Sequence, residues 1–175
     1  MDMKDRKGFY EKIYFHEIDV RDKLEGRLKL PMTVFAVLIA MALFLFNDSI
    51  KEKTCELSFI FITIYTNACL IFILSVFFFI KSWYGYTYKM IPNAIAIENY
   101  YQEIYESYLS QDENEAVAWT NEAFEEYLLT TFRDYAAFNT VNNDKKSYNL
   151  YLSNTLMLIS LLLFSIAYYP YYSIL

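Results

Sequence analysis

The chain has 175 residues, 56% hydrophobic and 20% aromatic, and a net charge of −6. A soluble domain of this length has too small a core to cover so many rings, so the composition favours a protein that uses the bilayer as a second apolar solvent. Two cysteines and one histidine exclude a disulfide framework and predict no metal site, cofactor or histidine-based catalysis, and the negative charge argues against direct binding of nucleic acid.

The amino-terminal part, residues 1–29, carries the pattern of an amphipathic juxtamembrane helix over residues 9–28. One apolar row has heptad-like spacing and a second row flanks it (Ile13, Val20, Leu24, Leu28; Tyr10, Tyr14, Ile18). Acidic and basic residues interleave on the other face. A helix that lies on anionic lipid usually has a net basic polar face, so we expect this helix to pack on protein.

A transmembrane hairpin is predicted for residues 30–80. Residues 30–47 and 57–80 contain no charged residue, and about 20 helical residues cross the hydrocarbon core. The connection of residues 48–56 is short, so the two spans should be antiparallel. The first stretch is not a signal peptide, because it begins at residue 30, lacks a small-residue cleavage site and is followed at once by a second span.

Residues 81–146 are predicted to form an acidic cytosolic helical domain. They hold eleven acidic and five basic residues, and they begin with an interfacial collar of Lys81, Trp83, Tyr84, Tyr86 and Tyr88. A first helix opens at Pro92, and two capping boxes precede a second helix (Ser110/Glu113 and Asp112/Glu115). No glycine or proline lies between Gln111 and Tyr169, so the second helix could continue past the asparagine-rich residues 139–143.

The third apolar segment, residues 147–175, is a candidate transmembrane helix. Lys145 and Lys146 would anchor its inner end, and tyrosines would form an aromatic outer end (Tyr168, Tyr169, Tyr171, Tyr172). Alternatively, this segment would bury its leucines between neighbouring subunits (Leu156, Leu158, Leu161, Leu162, Leu163). We favour a third span. The fold class is therefore all-α: an integral membrane protein with a transmembrane hairpin, a third apolar helix and a small cytosolic helical domain.

Lysine and arginine counts predict the orientation. Residues 1–29 hold eight, the loop of residues 48–56 holds two, residues 81–146 hold five and the carboxyl-terminal tail holds none. The amino terminus and residues 81–146 should therefore be cytoplasmic, with the loop outside.

Two polar sets are candidate site residues. Thr63, Thr66, Asn67 and Ser75 lie on the second span, where they would line a pore or hydrogen-bond between helices. An acidic set follows further along the chain and is either a solvated face or, in a ring of subunits, a negative vestibule that favours cations (Glu113, Glu115, Glu122, Glu125, Glu126).

Residues 133–138 resemble the Arg-polar-x-x-x-His motif of HEPN ribonucleases, in which the arginine and histidine of two protomers cleave RNA. Here the motif is degraded: Arg133 and Asp134 match, but Phe138 stands where the histidine should be. A phenyl ring cannot transfer a proton, so we predict no enzyme activity. The simplest role for Arg133 is a salt bridge, with Glu126, with Asp134 or with a neighbouring subunit.

The layout of amphipathic helix, transmembrane hairpin and small helical cytosolic part resembles membrane effectors of bacterial antiviral defence. These are the SLATT-type effectors and the membrane accessory protein of type VI-B CRISPR systems, which accompanies the RNA-guided nuclease Cas13b. Residues 9–30, 81–88 and 133–146 suggest the resemblance. It implies a bacterial inner-membrane protein that forms a ring-shaped homo-oligomer, with an octamer as candidate size, and depolarises infected cells.

Three functions follow as hypotheses. The first is a homo-oligomeric pore that acts as a defence effector. The second is a membrane-anchored regulatory or scaffold subunit without a pore. The third is a HEPN-like ribonuclease, which the phenyl ring of Phe138 disfavours.

Overall fold

The structure, a computed structural model, describes residues 2–51 and 59–172. Within these residues the chain is helical and contains no strand. The helices are α1 (Met3–Arg27), α2 (Lys29–Lys51), α3 (Phe59–Trp83), α4 (Ala94–Leu109) and α5 (Ala116–Tyr172). They contribute to two compact units: the polar unit, Met1–Asp22 with Thr87–Asn143, and the apolar unit, Lys23–Tyr86 with Asp144–Leu175.

Three helical stretches among the described residues are long and apolar enough to cross a membrane. They lie in α2, in α3 and in the carboxyl-terminal part of α5, where the sequence predicted them. The predicted all-helical fold with three such stretches is confirmed. Most of the predicted loop of residues 48–56, including Lys53 and Cys55, lies outside the described residues, as do the side chains of Tyr171 and Tyr172.

The helix α5 is continuous over 57 residues, Ala116–Tyr172. The prediction that a helix runs through residues 139–143 into the third apolar segment is therefore confirmed. Its buried side chains recur every seven residues in two rows, the period of helices that pack in a left-handed supercoil. The rows are Leu129, Ala136, Asn143, Leu150, Met157 and Phe164, and Phe132, Asn139, Lys146, Ser153, Ser160 and Ala167.

In the apolar unit, α3 runs antiparallel to both neighbours. Phe35 of α2 makes edge-to-face contacts with Phe72 and Phe79 of α3, at ring distances of 5.7 and 5.2 Å. Nearer the other end of α2, the hydroxyl of Tyr65 donates to the carbonyl of Ala42 at 3.1 Å. The chain leaves α3 through Gly85, whose φ of +93° is a conformation that ends helices and that side chains disfavour.

In the polar unit, the first part of α5 packs on α1 and α4. The core contains Tyr14, Phe132 and Ala136, and Tyr14 meets Phe132 edge to face at 5.8 Å. The helices α4 and α5 meet through three aromatic pairs at ring distances of 4.3, 5.2 and 5.7 Å (Tyr100/Tyr127, Tyr101/Phe124, Tyr108/Trp119). Contacts between aromatic side chains therefore supply much of the packing between these helices.

The helix ends in the polar unit differ in detail from those predicted. The side chain of Asn93 caps α4 by accepting from the amide of Ala96 at 2.8 Å, one residue after the predicted opening at Pro92. Neither predicted capping box forms. Instead Ser110 Oγ donates to the carbonyl of Ser107 at 2.8 Å, and Asp112 Oδ1 accepts from the amide of Asn114 at 2.9 Å. Both side chains thus hydrogen-bond to backbone groups within the loop and not to the first turn of α5, which begins at Ala116.

Candidate functional site

Three polar side chains form a patch on the outer face of α3. Thr63, Thr66 and Asn67 are exposed, and their spacing of three and four residues places them on one side of the helix. Thr63 Oγ1 donates to the carbonyl of Phe59 at 2.8 Å, and Asn67 Nδ2 donates to the carbonyl of Thr63 at 2.8 Å. Thr63 and Asn67 therefore bond along their own helix, and all three residues, the α3 polar patch, face away from the rest of the unit.

The position of the patch follows from the periodicity of α3. The buried side chains Phe61, Ala68, Ser75 and Ser82 recur every seven residues. Each residue turns an α-helix by about 100°, so residues 63, 66 and 67 fall opposite this buried row. Small residues in the row allow close approach of helices, which leaves the polar patch on the surface of the subunit.

Ser75, the fourth predicted pore residue, lies on the inner face instead. Its hydroxyl donates to the carbonyl of Ser153 at 2.8 Å, and Ser153 Oγ donates to the carbonyl of Ser75 at 3.0 Å. Both side chains are fully buried. One heptad further on, Ser160 Oγ donates to the carbonyl of Ala68 at 3.0 Å. Ser75 thus joins α3 to α5 within the chain, so of the four predicted pore residues only those of the α3 polar patch lie on an exposed face.

The predicted acidic residues lie in the loop before α5 and on its first turns. Four of them are exposed: Glu113, Glu115, Glu122 and Glu126. Glu125 differs, because its two carboxylate oxygens lie 2.8 and 2.7 Å from Nζ of Lys7. This pair joins α1 to α5. Of the predicted acidic set, four carboxylates are therefore exposed to solvent and one is paired with a lysine.

Arg133 pairs with its neighbour Asp134, with the guanidinium Nε 2.8 Å from the carboxylate. This was one of the salt bridges expected from the sequence. The contact raises the pKa of Arg133 and holds the pKa of Asp134 below its usual value. Both side chains are exposed, so the pair is screened by solvent and contributes little to stability.

The ring of Phe138 contacts a lysine of the same chain. The ammonium of Lys89 lies 5.1 Å from the ring centre of Phe138 and 5.3 Å from that of Tyr135. Such cation–π contacts stabilise an ammonium over an aromatic face. The ring of Phe138 thus binds an ammonium of the same chain and has no group that could accept a proton.

An asparagine clamp was missed by sequence reasoning. Asn139 Oδ1 accepts from the amide of Lys89 at 2.9 Å, and Asn139 Nδ2 donates to the carbonyl of Lys89 at 3.0 Å. Asn142 Nδ2 donates to the carbonyl of Thr87 at 2.6 Å, and Asn143 accepts from the hydroxyl of Tyr88 at 2.9 Å. These three amides hold the extended segment that follows α3 against α5. The signal in the sequence was their spacing, which places asparagines on one face of a helix.

Comparison with family models, curated proteins and solved structures gives no match. Among the described residues, no group of three or more His, Cys, Asp or Glu side chains could hold a metal ion. The features with chemical consequences are the α3 polar patch, the exposed acidic residues and the apolar surface around them.

Proposed function

We propose that the chain is an integral membrane protein whose copies assemble into a homo-oligomeric pore. In this proposal it acts as an effector of bacterial antiviral defence that depolarises the inner membrane when activated. The biological setting derives from the resemblance in layout to SLATT-type and Cas13b-associated effectors. The surface of the apolar unit supports the pore itself.

The apolar unit is inverted relative to a soluble domain, which supports membrane insertion. Its exposed surface carries large apolar side chains, such as Ile73 (62%), Leu158 (56%) and Leu162 (62%), whereas Ser75 and Ser153 are fully buried. In water such a surface would drive association. In a bilayer it would contact lipid, and the buried serines would pair with the backbone.

The α3 polar patch is the observation that carries the pore proposal. Thr63, Thr66 and Asn67 face outward from the helices of their own subunit, although α3 is apolar and long enough to cross a membrane. Polar side chains at membrane depth usually face protein or water. One subunit of three spans cannot enclose water, so several copies would arrange their α3 helices around a common channel.

The charges of the chain fit such a channel. The lysine and arginine counts place residues 1–29 and 81–146 in the cytoplasm. Repeated around a ring, the four exposed carboxylates near the start of α5 would form a negative vestibule and favour cations over anions. We assign no enzyme activity to the chain, because Phe138 cannot serve as acid or base.

A mass measurement combined with ion flux tests the proposal. The purified protein should form a monodisperse oligomer in detergent. Reconstituted into liposomes, it should dissipate a potassium gradient across their membranes. Thr63→Val and Asn67→Leu should reduce flux at least about fivefold while leaving the oligomer intact. Thr33→Val is the matched control, since Thr33 is an exposed threonine of α2 that bonds the carbonyl of Lys29 in the same way, at 3.3 Å, but lies outside the patch. A monomer, or a control as defective as the patch variants, would contradict the proposal.

One observation favours the second candidate, a membrane anchor whose cytosolic helices bind a partner. The helix α4 has no buried side chain, and Ile95 in its first turn is 72% exposed. A helix packed on only one side could receive another protein on its free face. An anchor without a pore would bind its partner as a monomer or dimer and leave liposomes sealed, so the same flux experiment separates the two functions.

A further inference from the structure

A buried lysine lies beside a small cavity in the apolar unit. The side chain of Lys146 is 4% exposed, and its ammonium is 3.5 Å from the carboxylate of Glu25, which is 56% exposed. Charge-assisted hydrogen bonds are normally shorter, near 2.7–2.9 Å. A long contact to a hydrated carboxylate compensates poorly for the desolvation of an ammonium with three donors. The site is therefore suited to a closer anion.

The cavity beside Lys146 is suited to such an anion. Its volume is about 320 Å³, and its lining residues include two lysines and one glutamate, Lys29, Lys146 and Glu25. Leu28, Met32 and Trp83 complete the wall. The lining residues therefore combine a net positive charge with apolar side chains.

A larger apolar groove begins where this cavity ends. It has a volume of about 600 Å³ and lies between α2 and α3, with Phe35, Ala36, Phe72 and Phe79 in its wall. Met32 and Trp83 line both spaces, so the two are adjacent. A molecule that fills them needs an anionic end at the lysines and a long apolar part between the helices.

We propose that the two spaces bind one anionic phospholipid, with its phosphate at Lys29 and Lys146 and an acyl chain in the groove between α2 and α3. The proposal rests on membrane insertion but not on the pore. The predicted orientation places both lysines at the cytoplasmic face, where anionic lipids attract basic side chains. A helix from a second copy would fill only the groove, and inorganic phosphate only the small cavity.

Lipid binding to the full-length protein in detergent tests this site. Native mass spectrometry and lipid titration would compare phosphatidylglycerol with phosphatidylcholine, with inorganic phosphate as competitor. The parent should bind phosphatidylglycerol about tenfold more tightly. Lys146→Gln and Lys29→Gln should each weaken that binding by about fivefold to tenfold. Lys145→Gln is the matched control, because Lys145 is exposed and lies outside the cavity, and it should bind like the parent.

A further variant tests the groove without changing charge. Ala36→Phe fills the space between α2 and α3 and should weaken the binding of both lipids alike.

Because Lys29 is exposed, Lys29→Gln should fold even if replacement of the buried Lys146 disturbs packing. Equal binding of the two lipids, full displacement by inorganic phosphate, or a loss in Lys145→Gln equal to that in Lys146→Gln would overturn the proposal. Alkaline extraction of membranes separately reports insertion, and liposome flux separately reports the pore.

Discussion

Ser75 of α3 and Ser153 of α5 each donate a hydrogen bond to the other's backbone carbonyl, at 2.8 and 3.0 Å. Their hydroxyl oxygens are 3.4 Å apart, and both side chains are fully buried. This reciprocal pair lies in a row of small residues, with Ala68 and Ser160 one heptad away. Because no bulky side chain lies between them at this point, the two apolar helices approach closely enough for a serine hydroxyl of each to reach a backbone carbonyl of the other.

Enlarging Ser75 should disrupt that contact. Ser75→Leu places a branched side chain where no space exists, and overpacking of this kind costs about 1–3 kcal/mol. Ser75→Ala keeps the fit and loses only the hydrogen bond that the Ser75 hydroxyl donates, which is worth about 0.6 kcal/mol between membrane helices, while the bond from Ser153 Oγ to the backbone carbonyl of residue 75 remains. Unfolding of the detergent-solubilised protein would measure both variants. If the leucine and alanine variants are equally stable, Ser75 does not pack tightly against α5.

The clamp of Asn139 on Lys89 should hold the segment between α3 and α4. Asn139→Ala leaves the amide and carbonyl of Lys89 without their partners, at a cost of about 1–3 kcal/mol. Hydrogen exchange at the amide of Lys89 should accelerate. Asn121→Ala is the control, because Asn121 is exposed and only its carboxamide oxygen bonds, to the hydroxyl of Tyr101 at 3.0 Å. If the amide of Lys89 exchanges equally fast in parent and Asn139→Ala, the clamp does not exist in solution.

The purified protein should not cut RNA. Arg133 is paired with Asp134, and Phe138 offers no group that could take or give a proton. Incubation of parent and Arg133→Ala with labelled RNA should leave the substrate intact in both. Cleavage that is present in the parent and lost in Arg133→Ala would show that an active ribonuclease site exists.

Cysteine labelling tests the orientation. Cys55 lies in the predicted outer loop, outside the described residues, and replacing Cys69 with alanine leaves it as the one thiol. An impermeant maleimide should label this variant in intact cells. A variant without either native cysteine that carries Asn121→Cys, at an exposed position of α5, should be labelled only after permeabilisation. The reverse labelling pattern would show that the orientation is opposite to the predicted one.

Periodicity indicated helices in the polar parts of the chain, and the absence of charged residues over about 20 positions predicted the apolar stretches. The absence of glycine and proline after Gln111 made a helix that continues past Asn143 possible, and α5 takes that course. The roles of individual polar residues within the apolar helices could not be predicted from the sequence. Ser75 and Thr66 are both short polar residues within an apolar helix, and only the row of small residues at sevenfold spacing distinguishes the packed face from the exposed one.

Contacts between distant parts of the chain were the least predictable. Asn139 binds Lys89 and Lys7 binds Glu125, but nothing in the local sequence of one residue identifies the other. The collar was assigned to the membrane interface by composition, yet Tyr88 bonds to Asn143 at 2.9 Å. Such pairings depend on how the helices pack, so they emerge only from three-dimensional structure.

The reversal potential of single channels across a salt gradient tests the central claim most directly. Asn67→Asp adds one carboxylate per subunit to the α3 polar patch without changing its size. If the patch lines the pore, the purified parent should conduct in a planar bilayer under asymmetric potassium chloride, and Asn67→Asp should shift the reversal potential toward that of potassium. A protein that never conducts, or a variant with the same reversal potential as the parent, would contradict the claim that the α3 polar patch faces an aqueous channel.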